Sequence, residues 1–186
     1  DSVVVEYGAG SSTVWFARRC KKVYSFEANT DYLSYLLAYL SGKPQLAKKV
    51  RFFFVNCDWN IDDTGRRWFV KNGHEATPDP EKVEMERDFC RVLVDAPIAL
   101  VLPAGSIRAL TLASAITMLK KNPNRAYLVV DNTERPFRDR YTRAMVPKSW
   151  ERNDFVNEGA DQVEWLVPGS RCTVWIKPPD AGTSLS

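Results

Sequence analysis

The residues best suited to chemistry lie at the start of the chain. Glu6 stands just before Gly8-Ala9-Gly10, and Ser11, Ser12 and Thr13 follow. Glycines at such a turn let the backbone approach a ligand where a Cβ would collide. A helix that starts behind them offers unpaired N–H groups and the positive end of its dipole. A second acid, Glu27, comes 17 residues after Gly10, a position from which a carboxylate can accept hydrogen bonds from ribose hydroxyls. A Gly-x-Gly turn also serves merely to join a strand to a helix, so this one gains weight only from its surroundings. Further acids follow at intervals: Asp58 beside Trp59, then Asp95, then Asp131 beside Asn132. Carboxylate and amide oxygens suit Mg²⁺ or Mn²⁺, and the same groups also cap ordinary turns. His74 is the single histidine, and in a polar stretch it reads as exposed rather than as a base.

These residues need elements to hold them. Val3-Val4-Val5 reads as a buried strand running into the glycine turn, and a helix is expected over Ser11–Cys20. Val23–Glu27 is the second strand. Asn29 or Thr30 can cap a helix that carries Leu33, Leu36, Leu37 and Leu40 on one face and ends at Gly42 and Pro44. The third strand is Val50–Asn56, closed by Cys57-Asp58-Trp59. Residues 60–88 are rich in charge, Gly and Pro, and read as a lid or insertion with a short helix near Glu81–Glu86. Cys90–Asp95 is expected as the fourth strand, ended by Ala96-Pro97. A helix over Ala104–Lys121 is stopped by Asn122-Pro123. Ala126–Asp131 is the fifth strand, and Pro136 opens a helix to Met145. A short helix is expected from Trp150 to Glu158, then a hairpin of Gln162–Val167 and Arg171–Lys177 around Pro168-Gly-Ser170. Residues 179–186 read as a disordered tail after one domain over 1–178. Strands alternating with helices predict an α/β fold with a mostly parallel sheet, and ligands in such sheets sit at the strands' carboxyl ends.

The chain has 186 residues, enough for one domain with a full core. The net charge of +3 comes from scattered basic pairs, a solvated surface rather than a nucleic-acid footprint. No apolar run reaches membrane-spanning length. Cys20, Cys57, Cys90 and Cys172 are far apart and read as buried free thiols, which fits a reducing compartment and predicts a cytoplasmic protein.

Glu6-x-Gly8-x-Gly10, with Glu27 ending the next strand, resembles the first motif and partner acid of class I S-adenosylmethionine (SAM)-dependent methyltransferases. The resemblance implies a Rossmann-like sheet of order 3-2-1-4-5-7-6, with the late hairpin supplying the antiparallel pair. It implies SAM held by Glu6, Gly8, Ala9, Gly10 and Ser12 at the turn, and by Glu27, Ala28, Asp58, Trp59 and Asp95 around ribose and adenine. The third fingerprint glycine is missing; Thr13 holds its place. Members of the family carry helices ahead of the first strand, so this stretch is expected to belong to a longer chain with other domains.

Two finer resemblances bear on the substrate. Asp95, Asp131 and Asn132 resemble the metal ligands of catechol O-methyltransferase-like enzymes, which implies a divalent ion, with Asp95 and Asp131 as catalytic carboxylates. The lysine that those enzymes place after the first aspartate is absent, since Ala96-Pro97-Ile98 follows. Val94-Asp-Ala-Pro97, Gly105 to Arg108, and Glu134-Arg-Pro136 resemble the glucuronoxylan 4-O-methyltransferases, which implies a carbohydrate acceptor held by Arg108, Glu134 and Arg135. Asp131-Asn132 departs from that family's His-Asp. Trp59, Trp68 and Trp150 are available to face a sugar ring or to fill the core. Three alternatives stay open: methylation of a nucleobase or protein nitrogen or of a small phenol, nicotinamide-dependent oxidoreduction, and a cofactor-binding remnant without activity.

Overall fold

The first strand is buried along its whole length, so both of its faces must be covered. In the computed structural model, residues 2–27, 29–54, 59–61, 67–71, 74–76, 97–104, 108–157 and 169–181 are described. Strand β1 (Val3–Tyr7) pairs in parallel with β2 (Lys22–Glu27) on one side and with β7 (Ile98–Pro103) on the other. Strand β3 (Val50–Phe54) extends the sheet beyond β2, and β8 (Ala126–Val130) extends it beyond β7. Strand β10 (Arg171–Lys177) adds antiparallel to β8, and β9 (Glu151–Val156) closes that edge antiparallel to β10. The order β3-β2-β1-β7-β8-β10-β9 is the expected 3-2-1-4-5-7-6.

Alternation along each strand sorts side chains to two faces. On one face, Val4 and Val23 pack with Phe16 and Ala17 of α1 (Ser11–Arg19). Helices α2 (Thr30–Ser41) and α3 (Pro44–Ala47) follow, and Leu46 of α3 joins the same cluster. On the other face, Val5, Tyr7 and Val101 pack with Leu112, Ile116 and Leu119 of α4 (Arg108–Lys120). Tyr7, Phe26 and Phe53 form a stack there, with centroids 5.0 and 4.8 Å apart. Asn29 caps α2 as expected, accepting from the Asp31 and Tyr32 N–H groups. Leu36 and Leu40 are buried, whereas Leu37 is exposed. Helix α5 (Pro136–Met145) has the expected bounds.

Four expectations change. The strand beside β1 is Ile98–Pro103, eight residues after the expected start at Cys90, and Cys90–Asp95 lies outside the described residues. A central parallel strand is covered on both faces and favours an apolar run, a charge inside it needing buried partners such as Glu6 has. Ile98-Ala-Leu-Val-Leu meets that condition, and Cys90-Arg-Val-Leu-Val, with a charge inside it, does not. Within residues 60–88, expected as a lid or insertion, β4 (Trp59–Ile61), β5 (Arg67–Lys71) and β6 (His74–Ala76) form a separate antiparallel sheet; the helix expected at Glu81–Glu86 lies outside the described residues. Residues 151–156 are a strand rather than a helix and pair with β10, and Gln162–Val167, expected as its partner, lies outside the described residues. Trp150 belongs to the core and is no sugar platform.

Strand β9 misleads because its sequence is polar. It sits at the sheet edge, where charge is common, and its charges have partners on other elements. Arg152 Nη2 donates to Asp139 Oδ1 of α5 at 2.6 Å, and its Nε donates to Asp154 at 3.0 Å. Thr173 Oγ1 donates to Asp154 at 2.6 Å. Burial pushes Asp139 and Asp154 up. Hydrogen bonds from Arg143 and Arg152 to Asp139, and from Arg152 and Thr173 to Asp154, outweigh it with the arginine charges, so both end below the usual 3.8. A depressed carboxylate stabilises the fold above its unfolded pKa, and that contribution is lost as pH falls through the folded value. Arg152→Ala should therefore cost about 2 kcal/mol at pH 7, discounted for partial exposure. The gap from wild type, read by denaturant melts, should shrink as pH falls below 3.8. A gap that does not change with pH would show that lost packing on Trp175, not charge, sets the cost.

Candidate functional site

The parallel register brings several loops to one edge. Tyr7 lies beside Phe26 on one side and Pro103 on the other, so the chain leaves β1, β2 and β7 at the same level. Gly8 follows Tyr7, Glu27 follows Phe26, Ala104 follows Pro103, and Asp131 leaves β8 at the same end of the sheet.

The turn after β1 uses its two glycines differently. Gly8 has φ +93°, and its N–H donates to the Phe26 carbonyl at 2.8 Å, which ties the turn to β2. A side chain there would be strained. Gly10 has φ −179°, extended backbone open to any residue, and a Cβ built on it meets nothing within 4 Å. Neither conformation nor packing demands glycine at position 10. The open space in front of it is the space a ligand would need.

Glu6 organises this turn from beneath. It is 0% exposed. Ser12 Oγ donates to its Oε2 at 2.7 Å, and Ser25 Oγ donates to its Oε1 at 2.9 Å. Its expected direct contact with a cofactor changes accordingly: both oxygens face protein hydroxyls, and Glu6 sets the geometry of the turn. Ser12 is likewise spent on Glu6. Thr13, in the place of the third glycine, accepts the Gly10 N–H at 3.0 Å and so caps the helix start. Sequence reasoning missed Ser25, and the available signal was a small polar residue between Tyr24 and Phe26 in an otherwise apolar strand.

Glu27 stands at the carboxyl end of β2, where its Oε1 accepts the Asn29 N–H at 2.7 Å, which orients the carboxylate at that edge of the sheet. Asp131 and Asn132 leave β8 as expected. Asn132 takes φ +52°, which asparagine tolerates better than most residues, and its Nδ2 donates to Asp131 Oδ2 at 2.9 Å. Thr133 and Glu134 are taken up by β10: Thr133 N–H donates to the Arg171 carbonyl at 2.8 Å, and Glu134 Oε2 accepts the Arg171 N–H at 2.9 Å. Glu134, expected to hold substrate, is exposed and ties its loop to β10 through this one oxygen. Arg135 is exposed at the N-terminus of α5. Ala28, Asp58 and Asp95 lie outside the described residues, Trp59 opens β4, and Arg108 opens α4. Asp95 precedes β7 in the chain and does not end that strand.

Of the three ligands expected for a divalent ion, Asp95 lies outside the described residues. Among the described residues no three acidic, histidine or cysteine side chains converge, and Asp131 Oδ2 is already engaged by Asn132. Cys172, half-buried on β10, is pushed up to about 11 by burial and by the charges of Asp131 and Asp154, so it stays a neutral thiol.

Burial is the largest influence on Glu6 and raises it above 4.5, against the donors from Thr13, Ser12 and Ser25; the charge of Glu27 adds to the rise. The folded state therefore holds the Glu6 proton more tightly than the unfolded chain, and stability falls as pH rises from 4.5 through the folded value. Glu6→Gln should melt no lower than wild type at pH 8, with the advantage shrinking on acidification. Scanning calorimetry across that range checks this. A variant that melts lower at every pH would show that hydrogen bonding outweighs the cost of the buried charge.

Comparison with solved structures finds methyltransferase-like chains at low identity. An rRNA methylase from Streptococcus thermophilus gives a TM-score of 0.54 at 14% identity, over 97% of this chain and 88% of its own. A protein from Streptococcus mutans, assigned as a methyltransferase and solved in complex with SAH, gives 0.57 at 12% identity, over 95% and 89%. Precorrin 8W decarboxylase from Methanobacterium thermoautotrophicum gives 0.55 at 15% identity, over 95% and 81%. No family model matches the sequence, nor does any curated protein. Identity this low speaks to the fold alone. With its sheet order, its glycine turn behind a buried acid and these neighbours, the chain has the fold of the class I SAM-dependent methyltransferases.

Proposed function

We propose that the protein is a SAM-dependent O-methyltransferase whose acceptor is a sugar hydroxyl of a glycan or glycoconjugate. The observation that carries the cofactor part is Gly10, a glycine required by neither its backbone angle nor its neighbours, facing open space at the edge where Glu27 also stands. The neighbour solved with SAH shares that fold.

Bound at this edge, SAM supplies an electrophilic methyl group on a sulfonium. The chain's residues do the rest. The Gly8–Gly10 backbone would hold the cofactor at the turn, and Glu27 would accept hydrogen bonds from its ribose hydroxyls. An alcohol is a poor nucleophile near neutral pH, so transfer to oxygen needs a group that takes its proton as the new bond forms. Asp131 is the described carboxylate at the strand end where an acceptor would enter, and the Asn132 amide fixes its orientation. Holding acceptor and methyl in line supplies much of the remaining acceleration. The sugar class rests on the likeness of residues 94–137 to the glucuronoxylan methyltransferases, with exposed Arg135, four residues after Asp131 in the chain, as the group to meet an acidic sugar. The named neighbours differ among themselves in substrate, so they do not choose one.

Gly10→Ala should fold as wild type does but lose the rise in melting temperature on adding SAH, because a ligand that binds only the native state stabilises it. Glu27→Ala should weaken SAH binding by about 1.5–3 kcal/mol, read by calorimetry. Asp131→Asn should keep SAH affinity and lose methyl transfer. An acceptor panel of acidic and neutral oligosaccharides, phenols and RNA, run with and without chelator, tests the substrate class and the metal together. Turnover on RNA or phenols with none on carbohydrate would remove the sugar reading. SAH shifts equal in wild type and Gly10→Ala would remove the cofactor site.

A further inference from the structure

The hydroxyls beneath the glycine turn form a one-way chain. The Gly10 N–H donates to Thr13 Oγ1 at 3.0 Å. Thr13 Oγ1 lies 3.4 Å from Ser25 Oγ, and Ser25 Oγ donates to Glu6 Oε1 at 2.9 Å. Since Ser25 spends its proton on Glu6, the Thr13 proton goes to Ser25 or to the carboxylate itself, and on either path it points toward Glu6. Every proton in the chain points toward Glu6, and Ser12 Oγ points there as well, at 2.7 Å to Oε2. Glu6, Thr13 and Ser25 are each 0% exposed, so bulk water does not reach them. A chain of donors ending on one group needs an end that only accepts, and an ionised carboxylate is the side chain that meets this need.

We propose, resting on the cofactor reading above, that Ser25 and Thr13 are positioning residues whose hydroxyls couple the Glu6 carboxylate to the Gly10 backbone, so that ligand binding at the turn requires Glu6 to be charged. Adding a proton to Glu6 adds a third donor where two oxygens already receive two. One hydroxyl must then turn away. Release of Ser12 frees the first turn of α1, and reversal of Ser25 propagates through Thr13 to the Gly10 N–H. Either motion disturbs the backbone that lies along the ligand. The charged groups around Glu6 are few. From β2, Glu27 adds like charge that favours the proton, while among the described residues the elements packed on either side bring Ser12 and Thr13 from α1 and apolar Leu100 and Leu102 from β7. Burial favours the proton too, and the hydroxyl donors oppose it. Removing one of them should therefore move the pH at which the turn loses its ligand.

The experiment is SAH affinity by calorimetry from about pH 5 to about pH 9, a range that brackets a carboxyl raised by burial. Wild type, Ser25→Ala, Thr13→Val and Thr13→Ser are compared, with Glu6→Gln as the variant that cannot titrate. Wild-type affinity should fall on the acid side. Ser25→Ala and Thr13→Val should shift that midpoint upward by about one pH unit, the scale of one hydrogen bond to a charged group, and recover affinity at high pH. Thr13→Ser keeps the hydroxyl and should keep the wild-type midpoint. Glu6→Gln should bind weakly at every pH. Carboxyl ¹³C shifts of Glu6 without ligand give the same midpoints independently of binding. Variants that lose affinity equally at all pH, with the midpoint unmoved, would reduce Ser25 and Thr13 to packing and overturn the coupling while leaving the cofactor site standing. Wild type that binds no SAH at any pH would overturn the cofactor reading and the coupling with it.

Discussion

A carboxylate with no exposure to water sits beneath the turn on which the proposed chemistry depends. Burying the Glu6 charge is unfavourable, and the cost is offset only because Ser12 and Ser25 donate to its two oxygens. Those two serines lie on different elements, α1 and β2. The carboxylate therefore ties the first helix and the second strand to the first strand at one point. The Gly8 N–H bond to Phe26 repeats the tie through the backbone. An alanine at position 6 would leave a void and take away the acceptor of Ser12 and Ser25, and with it the constraint that fixes where Gly10 points.

The opposite side of the crevice is held by a different device. The loop after β8 is short of apolar anchors, and it is fixed by polar contacts to β10: Thr133 to the Arg171 backbone, Glu134 to the Arg171 N–H, and Thr133 to Thr173 at 2.7 Å. Arg171 and Arg152 then join Asp139 and Asp154 in a network that spans α5, β9 and β10. The antiparallel pair at the sheet edge thus does more than extend the sheet. It sets the position of Asp131 and Asn132, and with them the place where an acceptor would meet the cofactor.

What was legible in the sequence was local. The run from Val3 to Thr13, the strand ending at Glu27, the Asn29 cap and the Pro136 helix start each carry their signal within a few residues, and each is found as read. The misreadings all turn on partners distant in the chain. The bond between Glu134 and the Arg171 N–H could not be read from the sequence because the two lie 37 residues apart. Residues 151–156 looked helical and polar because their partners, Asp139 and Thr173, come from other elements. The fourth strand was placed eight residues too early because two apolar runs stand side by side, and only burial on both faces tells them apart. Ser25 went unnoticed because one hydroxyl in a strand is unremarkable until Glu6 is found beneath it.

The central claim is that SAM lies along the Gly8–Gly10 backbone with its ribose at Glu27. A crystal structure of the protein with SAH tests it most directly. The account predicts SAH at the carboxyl edge of β1 and β2, in contact with the Gly10 backbone, with ribose hydroxyls on the Glu27 carboxylate and the buried Glu6 hydrogen bonds unchanged. SAH seated elsewhere, or an empty turn at saturating SAH, would contradict it.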